Sequence, residues 1–180
     1  MTLEPLIEAE VIQAKVAELA GLVCVDLVEQ DLPLVGATSL LLIGVLKGSL
    51  HFLSDFSRAL GCEVEIDFIS VSSYGTEKTS SGIVQIRKDL DTNIEGRDVL
   101  IVEDIVDTGA TLRHLRELLG TRKPRSLKVV SLLSKLQARG IPSDIEYVGF
   151  EIPDEFVVGY GLDYGERYRN LPYIAILREG

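Results

Sequence analysis

The chain has 180 residues and carries 28 acidic against 18 basic side chains, for a formal net charge of −10. The length predicts one domain with a sizeable core. The acidic balance disfavours general binding to nucleic acid or to anionic membranes, and no apolar run approaches the roughly 20 residues of a membrane-spanning helix. The N-terminus lacks a basic segment followed by an apolar one, so we expect a cytoplasmic protein.

Apolar periodicity predicts the elements of the first half of the chain. A first amphipathic helix is indicated by residues at helical spacing, namely Ile12, Val16, Leu19 and Val23. Residues 40–45 form an apolar run typical of a buried parallel strand. A second helix follows, indicated by Phe52, Leu53, Phe56 and Leu60. Alternation of Val64, Ile66 and Phe68 predicts a strand, and residues 83–87 predict another.

In the second half, helical and strand patterns continue to alternate. Residues 99–102 and 126–133 read as buried strands, and between them Leu112, Leu115, Leu118 and Leu119 indicate a helix. Three short strands are predicted at residues 145–150, 156–158 and 173–177. Alternation of this kind predicts an α/β fold with a mainly parallel sheet.

The strand at 99–102 runs into an unusual segment. Residues 101–112 read Ile-Val-Glu-Asp-Ile-Val-Asp-Thr-Gly-Ala-Thr-Leu, so three carboxylates and a Thr-Gly-x-Thr turn follow a strand end. Residues 108–111 should lie at a helix N-terminus, where free N–H groups and two hydroxyls suit a phosphate monoester. The carboxylates of Glu103, Asp104 and Asp107 are candidates to hold sugar hydroxyls, position a hydrated Mg²⁺ or take a proton. A phosphorylated sugar fits this layout, whereas the Gly-x-x-x-x-Gly-Lys-Ser/Thr pattern of P-loop enzymes is absent.

This segment resembles the phosphoribosyl pyrophosphate signature of type I phosphoribosyltransferases, in particular their hypoxanthine-guanine branch. Three further stretches resemble the family in the same order. Leu-Lys-Gly-Ser at 46–49 looks like its pyrophosphate loop, the polar stretch 72–82 like its mobile loop, and residues 130–135 and 148–169 like its purine-binding hood. The resemblance implies the type I phosphoribosyltransferase fold, a mainly parallel twisted sheet flanked by helices with a small hood subdomain. It implies a single domain over 1–180, with a core of roughly 35–135 and a hood from the N-terminal segment and roughly 136–180.

The implied activity is purine salvage. The family transfers the 5-phosphoribosyl group of phosphoribosyl pyrophosphate to a 6-oxopurine, here hypoxanthine or guanine, giving IMP or GMP and pyrophosphate with Mg²⁺ as cofactor. The family forms dimers or tetramers, so a homo-oligomer is expected. Two alternatives stay open. One is a xanthine-guanine phosphoribosyltransferase; the other is an RNA-binding regulator of the same fold, which requires a basic patch such as the one at Arg122, Lys123, Arg125 and Lys128.

The resemblance also implies roles for the phosphoribosyl-binding residues. Asp107 removes the purine N7 proton, and the 5′-phosphate is bound by Asp107, Thr108, Gly109, Ala110 and Thr111. Glu103 and Asp104 hold the ribose hydroxyls and the water shell of Mg²⁺, and Asp163 lies near a second Mg²⁺. Pyrophosphate is bound by Lys47, Gly48 and Arg169, with a cis peptide bond expected between Leu46 and Lys47. The mobile loop carries Ser73 and Tyr74.

For the purine, the implied residues are Lys135, Phe156, Val157 and Asp163. An ammonium at Lys135 donates but cannot accept, so it favours a 6-oxo group over the amino group of adenine. Phe156 resembles the stacking residue, and the backbone carbonyls of Val157 and Asp163 resemble the groups that meet the guanine amine.

Each assignment has a plainer alternative. Asp107 could cap the following helix, and Phe156 could be a core residue. The charged side chains Lys47, Lys135, Asp163 and Arg169 could simply be exposed. Ala110 and the Gly-Glu-Arg stretch at 165–167 depart from larger relatives. Cys24 and Cys62 are interpreted as reduced structural thiols, and neither they nor His51 and His114 indicate a metal cluster.

Overall fold

The computed structural model describes residues 1–29, 40–73 and 84–178. Helices and strands alternate through most of these ranges. The elements in chain order are β1 (Thr2–Ile7), α1 (Ala9–Glu29), β2 (Leu40–Leu46), α2 (Leu50–Ala59), β3 (Val64–Ser73), β4 (Val84–Lys88), β5 (Asp98–Val106), α3 (Ala110–Gly120), β6 (Ser126–Ser134), β7 (Tyr147–Glu151), β8 (Val157–Val158) and β9 (Ile174–Arg178).

The main sheet has six strands in the order β4-β3-β2-β5-β6-β7. All neighbouring pairs are parallel except β3 and β4, which pair antiparallel. Because β2, β5, β6 and β7 run the same way, their carboxyl ends meet at one edge, where ligands bind in open α/β sheets. The predicted α/β fold with a mainly parallel sheet is confirmed.

Both faces of this sheet are covered, which explains why its strands are continuous apolar runs. One face packs with α1, α2 and the hood around Leu42, Leu100 and Phe52. The other packs with α3 around Ile43, Ile101 and Leu115. Alternate residues of β2 and β5 therefore enter different cores, and the strand ends that leave these cores carry the polar residues.

The hood contains a smaller antiparallel sheet in the order β1-β9-β8. In this sheet β1, at the start of the chain, pairs with β9, near its end, and Thr2 lies opposite Arg178. The sequence pattern did not predict β1, because its partner lies at the other end of the chain. Tyr160 ties the hood to α2 by donating its hydroxyl to Asp55 Oδ2 at 2.6 Å. The division into a core of 35–135 and a hood remains a prediction.

Strand β5 runs further than its apolar pattern predicts. It continues to Val106 rather than ending at residue 102, because its parallel pairing with β6 extends to Val106 opposite Ser134. Glu103 and Asp104 consequently lie within the strand, and its backbone fixes the directions of both side chains.

Two further predictions concern the mobile loop and membrane-spanning helices. Ser73 is the last residue of β3, whereas Tyr74 and the rest of the predicted mobile loop to Gly82 lie outside the described residues. Within the described ranges, no helix combines the length and the hydropathy needed to cross a membrane.

Candidate active site

A cavity of about 350 Å³ opens at the carboxyl edge of the sheet, between β2, β5 and β6 and the hood. It brings together residues that lie more than 120 positions apart in the chain, from Lys47 to Arg169. Ten of the residues singled out in the sequence line it: Lys47, Gly48, Glu103, Asp104, Asp107, Lys135, Phe156, Val157, Asp163 and Arg169.

A smaller cavity of about 100 Å³ adjoins it at the start of α3. Its walls include all five residues predicted for the 5′-phosphate, Asp107, Thr108, Gly109, Ala110 and Thr111, together with Glu103. Gly109 has φ +72°, a left-handed conformation that favours glycine, and it stands at the N-cap of the helix without a side-chain capping bond. The alternative that Asp107 caps this helix is therefore wrong.

Two adjacent carboxyl groups on β5 stand at the floor of the main cavity. Burial raises the pKa of Asp104 to about 6, helped by the charge of Asp163 and opposed by backbone N–H groups and by Arg169. Burial, and then the charge of Asp104, raises the pKa of Glu103 well above its ordinary value. Both groups are costly to ionise in the chain alone, so hydroxyl donors or a cation beside them would stabilise their charged forms.

The loop after β2 lies directly against these carboxyls. The Leu46–Lys47 peptide bond is cis, as expected. A Cβ atom on Gly48 would overlap the carboxylate of Asp104, and a Cβ on Gly161 would overlap the carbonyl oxygen of Gly48. Only backbone fits between β5 and the hood at this point, which gives Gly48 a steric reason to be glycine.

Above this loop, cations and carboxylates alternate. Arg169 Nη2 lies 2.7 Å from Asp163 Oδ1, and Arg169 Nη1 donates to the Gly161 carbonyl at 2.8 Å. Lys47 Nζ lies 3.1 Å from Glu166 Oε2. Lys47 is an exposed side chain, as its plainer alternative held, but it is paired with a carboxylate from the hood.

At the purine end, Lys135 is buried at 6% exposure, so the alternative of an exposed strand-end charge is wrong. Its Nζ lies 4.0 Å from both Asp107 Oδ2 and Asp154 Oδ1. Phe156 is 51% exposed and meets Tyr164 edge-on, so its alternative as a core residue is also wrong. The cavity thus pairs a buried ammonium with an accessible aromatic ring, while Val157 beside them is buried.

A family model for the phosphoribosyl transferase domain matches residues 16–165. The chain is 54% identical to the hypoxanthine-guanine phosphoribosyltransferase of Mycobacterium avium over 172 residues, covering 96% of this chain and 84% of that protein. It is 52% identical to that of Bacillus subtilis over 173 residues, covering 96% and 92%. The chain belongs to the hypoxanthine-guanine phosphoribosyltransferase family. A solved hypoxanthine phosphoribosyltransferase from Staphylococcus aureus superposes with a TM-score of 0.86 at 47% identity, covering 97% of this chain and 91% of that one.

The family uses Mg²⁺, and the donor set here suits a hydrated ion. Among the described residues, no three His, Cys, Asp or Glu side chains converge as direct ligands of one metal. Glu103 and Asp104 instead offer two strand-borne carboxyls whose pKa values are raised by burial. Mg²⁺ keeps several waters and is commonly held by one or two carboxylates plus substrate phosphates, which is compatible with this arrangement.

Three charged residues contact the predicted site residues but were not assigned to the site from the sequence. They are Arg139, Asp154 and Glu166. Arg139 bridges Asp107 and Asp154 with two contacts of 2.7 Å, and Glu166 contacts Lys47 and Arg169. Asp154 and Glu166 fall inside the stretch 148–169, which the sequence predicted as hood. Treating every carboxylate of that stretch as a candidate would have included both. Arg139 follows Lys135 by four residues in an irregular turn, and no local pattern distinguishes it from a surface arginine.

Proposed function

We propose that the protein is a purine-salvage enzyme that transfers the phosphoribosyl group of phosphoribosyl pyrophosphate to hypoxanthine or guanine, releasing pyrophosphate. The observation that carries this proposal is the 4.0 Å separation between Lys135 Nζ and Asp107 Oδ2 at the rim of the cavity. A 6-oxopurine presents O6 and N7 side by side on one edge. One donor and one acceptor at this spacing suit that edge, and the family relationship supports the same reaction.

In the proposed reaction, purine N9 attacks the anomeric carbon while the bond from that carbon to pyrophosphate breaks. The N7 proton passes to Asp107 Oδ2, and Lys135 donates to O6, where electron density builds up as the proton leaves. Phe156 stacks on the base, and carbonyls of Val157 and Asp163 meet the amine of guanine. Adenine lacks the O6 acceptor, so it leaves the ammonium of Lys135 without a partner.

The phosphoribosyl end is held by the other two parts of the site. The 5′-phosphate is proposed to bind the start of α3 at Asp107 to Thr111, where the helix N-terminus favours an anion. Ala110 suits such a site because the backbone supplies the donors. Glu103 and Asp104 accept hydrogen bonds from the ribose hydroxyls and stabilise positive charge that develops on the ribose.

The leaving pyrophosphate is proposed to bind Lys47, the backbone of Gly48 and Arg169. Glu103 and Asp104 would hold one Mg²⁺ through its water shell and Asp163 would lie near a second, and the metal would supply neutralisation of the pyrophosphate charge. The mobile-loop roles of Ser73 and Tyr74 remain predictions from the sequence. A cytoplasmic location and assembly into a homo-oligomer likewise remain predictions.

Neither alternative is favoured. The xanthine-guanine enzymes typically carry an arginine-glycine pattern in the pyrophosphate loop, whereas this chain has Lys47 before Gly48. The RNA-binding alternative needs a free basic patch. Three of its four candidate cations are instead paired with carboxylates, Arg122 with Asp89, Arg125 with Asp98 and Lys128 with Asp26.

The test is nucleotide formation from phosphoribosyl pyrophosphate and Mg²⁺, followed by ultraviolet absorbance, with hypoxanthine, guanine, xanthine and adenine offered separately. Turnover of hypoxanthine and guanine with none of adenine is expected. Preference for xanthine would favour the first alternative. No nucleotide formation with any of the four bases, together with salt-dependent binding of RNA, would favour the RNA-binding regulator.

A further inference from the structure

A guanidinium without a role in the proposed reaction contacts its proposed base. Arg139 Nε lies 2.7 Å from Asp107 Oδ1, and Arg139 Nη2 lies 2.7 Å from Asp154 Oδ1. The planar fork therefore forms ion pairs through two different nitrogens with two different carboxylates. The contact engages Oδ1 of Asp107, whereas Oδ2 faces Lys135 Nζ at 4.0 Å. The two oxygens of the base are thus distinguished by their neighbours.

The backbone fixes where this guanidinium begins. The N–H of Arg139 donates to the carbonyl of Lys135 at 3.0 Å, and the N–H of Ile141 donates to the carbonyl of Leu136 at 2.9 Å. Gly140, at φ +66°, turns the chain directly after the arginine. The purine-side ammonium and the guanidinium therefore belong to one short, hydrogen-bonded turn after β6, and they approach Asp107 from that same turn.

Asp154 connects the same fork to the hood. It lies two residues before Phe156, the proposed stacking ring, in a segment anchored to β6 by the bond from Ile152 N–H to the Ser134 carbonyl at 2.8 Å. Three separate strand ends, those of β5, β6 and β7, thus meet at one arginine. A displacement of the hood segment would move Asp154, and with it the Arg139 guanidinium that contacts Asp107.

We propose that Arg139 is a positioning residue for the phosphoribosyl transfer, which is an inference that rests on the proposed function. It holds the Asp107 carboxylate by Oδ1 and so presents Oδ2 to the N7 proton beside Lys135. The terminal torsion of an aspartate has a broad energy minimum, so without this anchor the carboxylate rotates away from the purine edge. Misplacement of a reacting group by about 1 Å can lower a rate by about 10²-fold.

The experiment is a double-mutant cycle on the full chain, using Arg139→Gln, Asp107→Asn and both together, with Arg139→Lys as the conservative variant. Steady-state rates are measured with hypoxanthine and phosphoribosyl pyrophosphate. We expect Arg139→Gln to lower kcat about 10- to 100-fold while KM for phosphoribosyl pyrophosphate changes less than about twofold. Arg139→Lys should recover part of the loss, because it keeps a charged donor. In the Asp107→Asn background, Arg139→Gln should add less than about a twofold loss.

Arg116→Gln is the matched control. Arg116 Nη2 also lies 2.7 Å from a carboxylate, that of Glu146, and donates to the Asp144 carbonyl, but it contacts the amino-terminal end of β6. Its removal should leave kcat unchanged even where it lowers the melting temperature. A loss with Arg139→Gln that is equally large in both backgrounds, or that Arg116→Gln reproduces, would overturn the positioning role. Full turnover by wild type and Arg139→Gln alike would overturn that role alone, whereas a wild-type chain that forms no nucleotide would overturn the proposed function as well.

Discussion

Lys47 and Glu166 form a direct ion pair, with Nζ and Oε2 separated by 3.1 Å. The other oxygen of Glu166 lies 3.4 Å from Arg169 Nη2. Hydrogen bonding from Lys47, and then the charge of Arg169, lowers the pKa of Glu166. Glu166 has φ +65°, a conformation that residues other than glycine rarely adopt, and its N–H donates to Asp163 Oδ2 at 2.8 Å. The hood thus holds a carboxylate against both cations proposed to bind pyrophosphate.

Because pyrophosphate and Glu166 compete for the same two cations, Glu166→Gln should strengthen product inhibition by pyrophosphate. Exposed ion pairs are weak, so we expect the inhibition constant to fall about two- to fivefold. The measurement is inhibition of nucleotide formation at constant ionic strength, with Glu4→Gln as control, since Glu4 pairs with Arg178 in the hood sheet. Weaker inhibition by pyrophosphate in Glu166→Gln would contradict the competition.

Replacing the buried carboxyl of Asp104 should raise the stability of the chain and lower its activity. The Asp104 pKa of about 6 in the folded chain lies above the ordinary 3.8, so the folded state binds more protons between these values and its stability falls as pH rises through them. Asp104→Asn removes this penalty. In a buffer with chelator at pH 7.5, we expect its melting temperature to exceed that of wild type by about 2–4 °C or more, the shift that 1 kcal/mol produces in a chain of this size.

The same variant should lose activity, because an amide binds neither the ribose hydroxyls nor a cation as a carboxylate does. Its advantage in melting temperature should shrink as pH falls from 6 and disappear below the ordinary pKa of 3.8, where Asp104 is protonated in both states. Thermal unfolding followed by circular dichroism at several pH values checks this trend. A variant that is less stable than wild type at pH 7.5 would show that other interactions of Asp104 outweigh its burial.

The contact between Gly48 and Asp104 predicts a strong effect from one methyl group. In Gly48→Ala the new Cβ overlaps the Asp104 carboxylate, so the loop or the carboxylate must move. Overpacking of this kind costs about 1–3 kcal/mol, and we expect at least a tenfold fall in kcat/KM for phosphoribosyl pyrophosphate. Gly61→Ala is the control, since a Cβ there meets nothing within 4 Å. Equal kinetics for the two variants would exclude a steric role for Gly48.

Base selection should depend on the buried ammonium of Lys135. Lys135→Met keeps much of the side-chain volume but removes the donor to O6, so kcat/KM for hypoxanthine and guanine should fall about 10- to 100-fold. Adenine should not become a good substrate, because the methionine adds no acceptor for its amino group. Parallel kinetics with the three bases check this, with thermal unfolding to confirm that the variant folds. If Lys135→Met discriminated between hypoxanthine and adenine as well as wild type does, a role for Lys135 in base recognition would be excluded.

Local pattern predicted the order of most elements and the acidic segment of the site, whereas the pyrophosphate and purine residues were expected from family resemblance. The apolar runs at 40–45 and 99–102 predicted buried strands, because a sheet covered on both faces leaves no polar positions in its centre. The acidic segment after residue 102 and the turn at 108–111 marked the site, because three carboxylates and free N–H groups meet there at a strand end and a helix start. The cis bond between Leu46 and Lys47 was expected from family resemblance rather than from any pattern in composition.

Other features depended on contacts that no local window contains. Strand β1 exists through its pairing with β9, and the extension of β5 to Val106 follows from its pairing with β6.

Residue types alone set which chemical groups the site contains, because the type decides whether a side chain donates, accepts or carries charge. Tertiary structure decided which of those groups face each other. It placed Arg139 on Asp107 and Glu166 on Lys47, pairs separated by 32 and 119 positions along the chain. Contacts between charged side chains depend on distances of a few ångströms, and those distances are set by the packing of the sheet and hood around them.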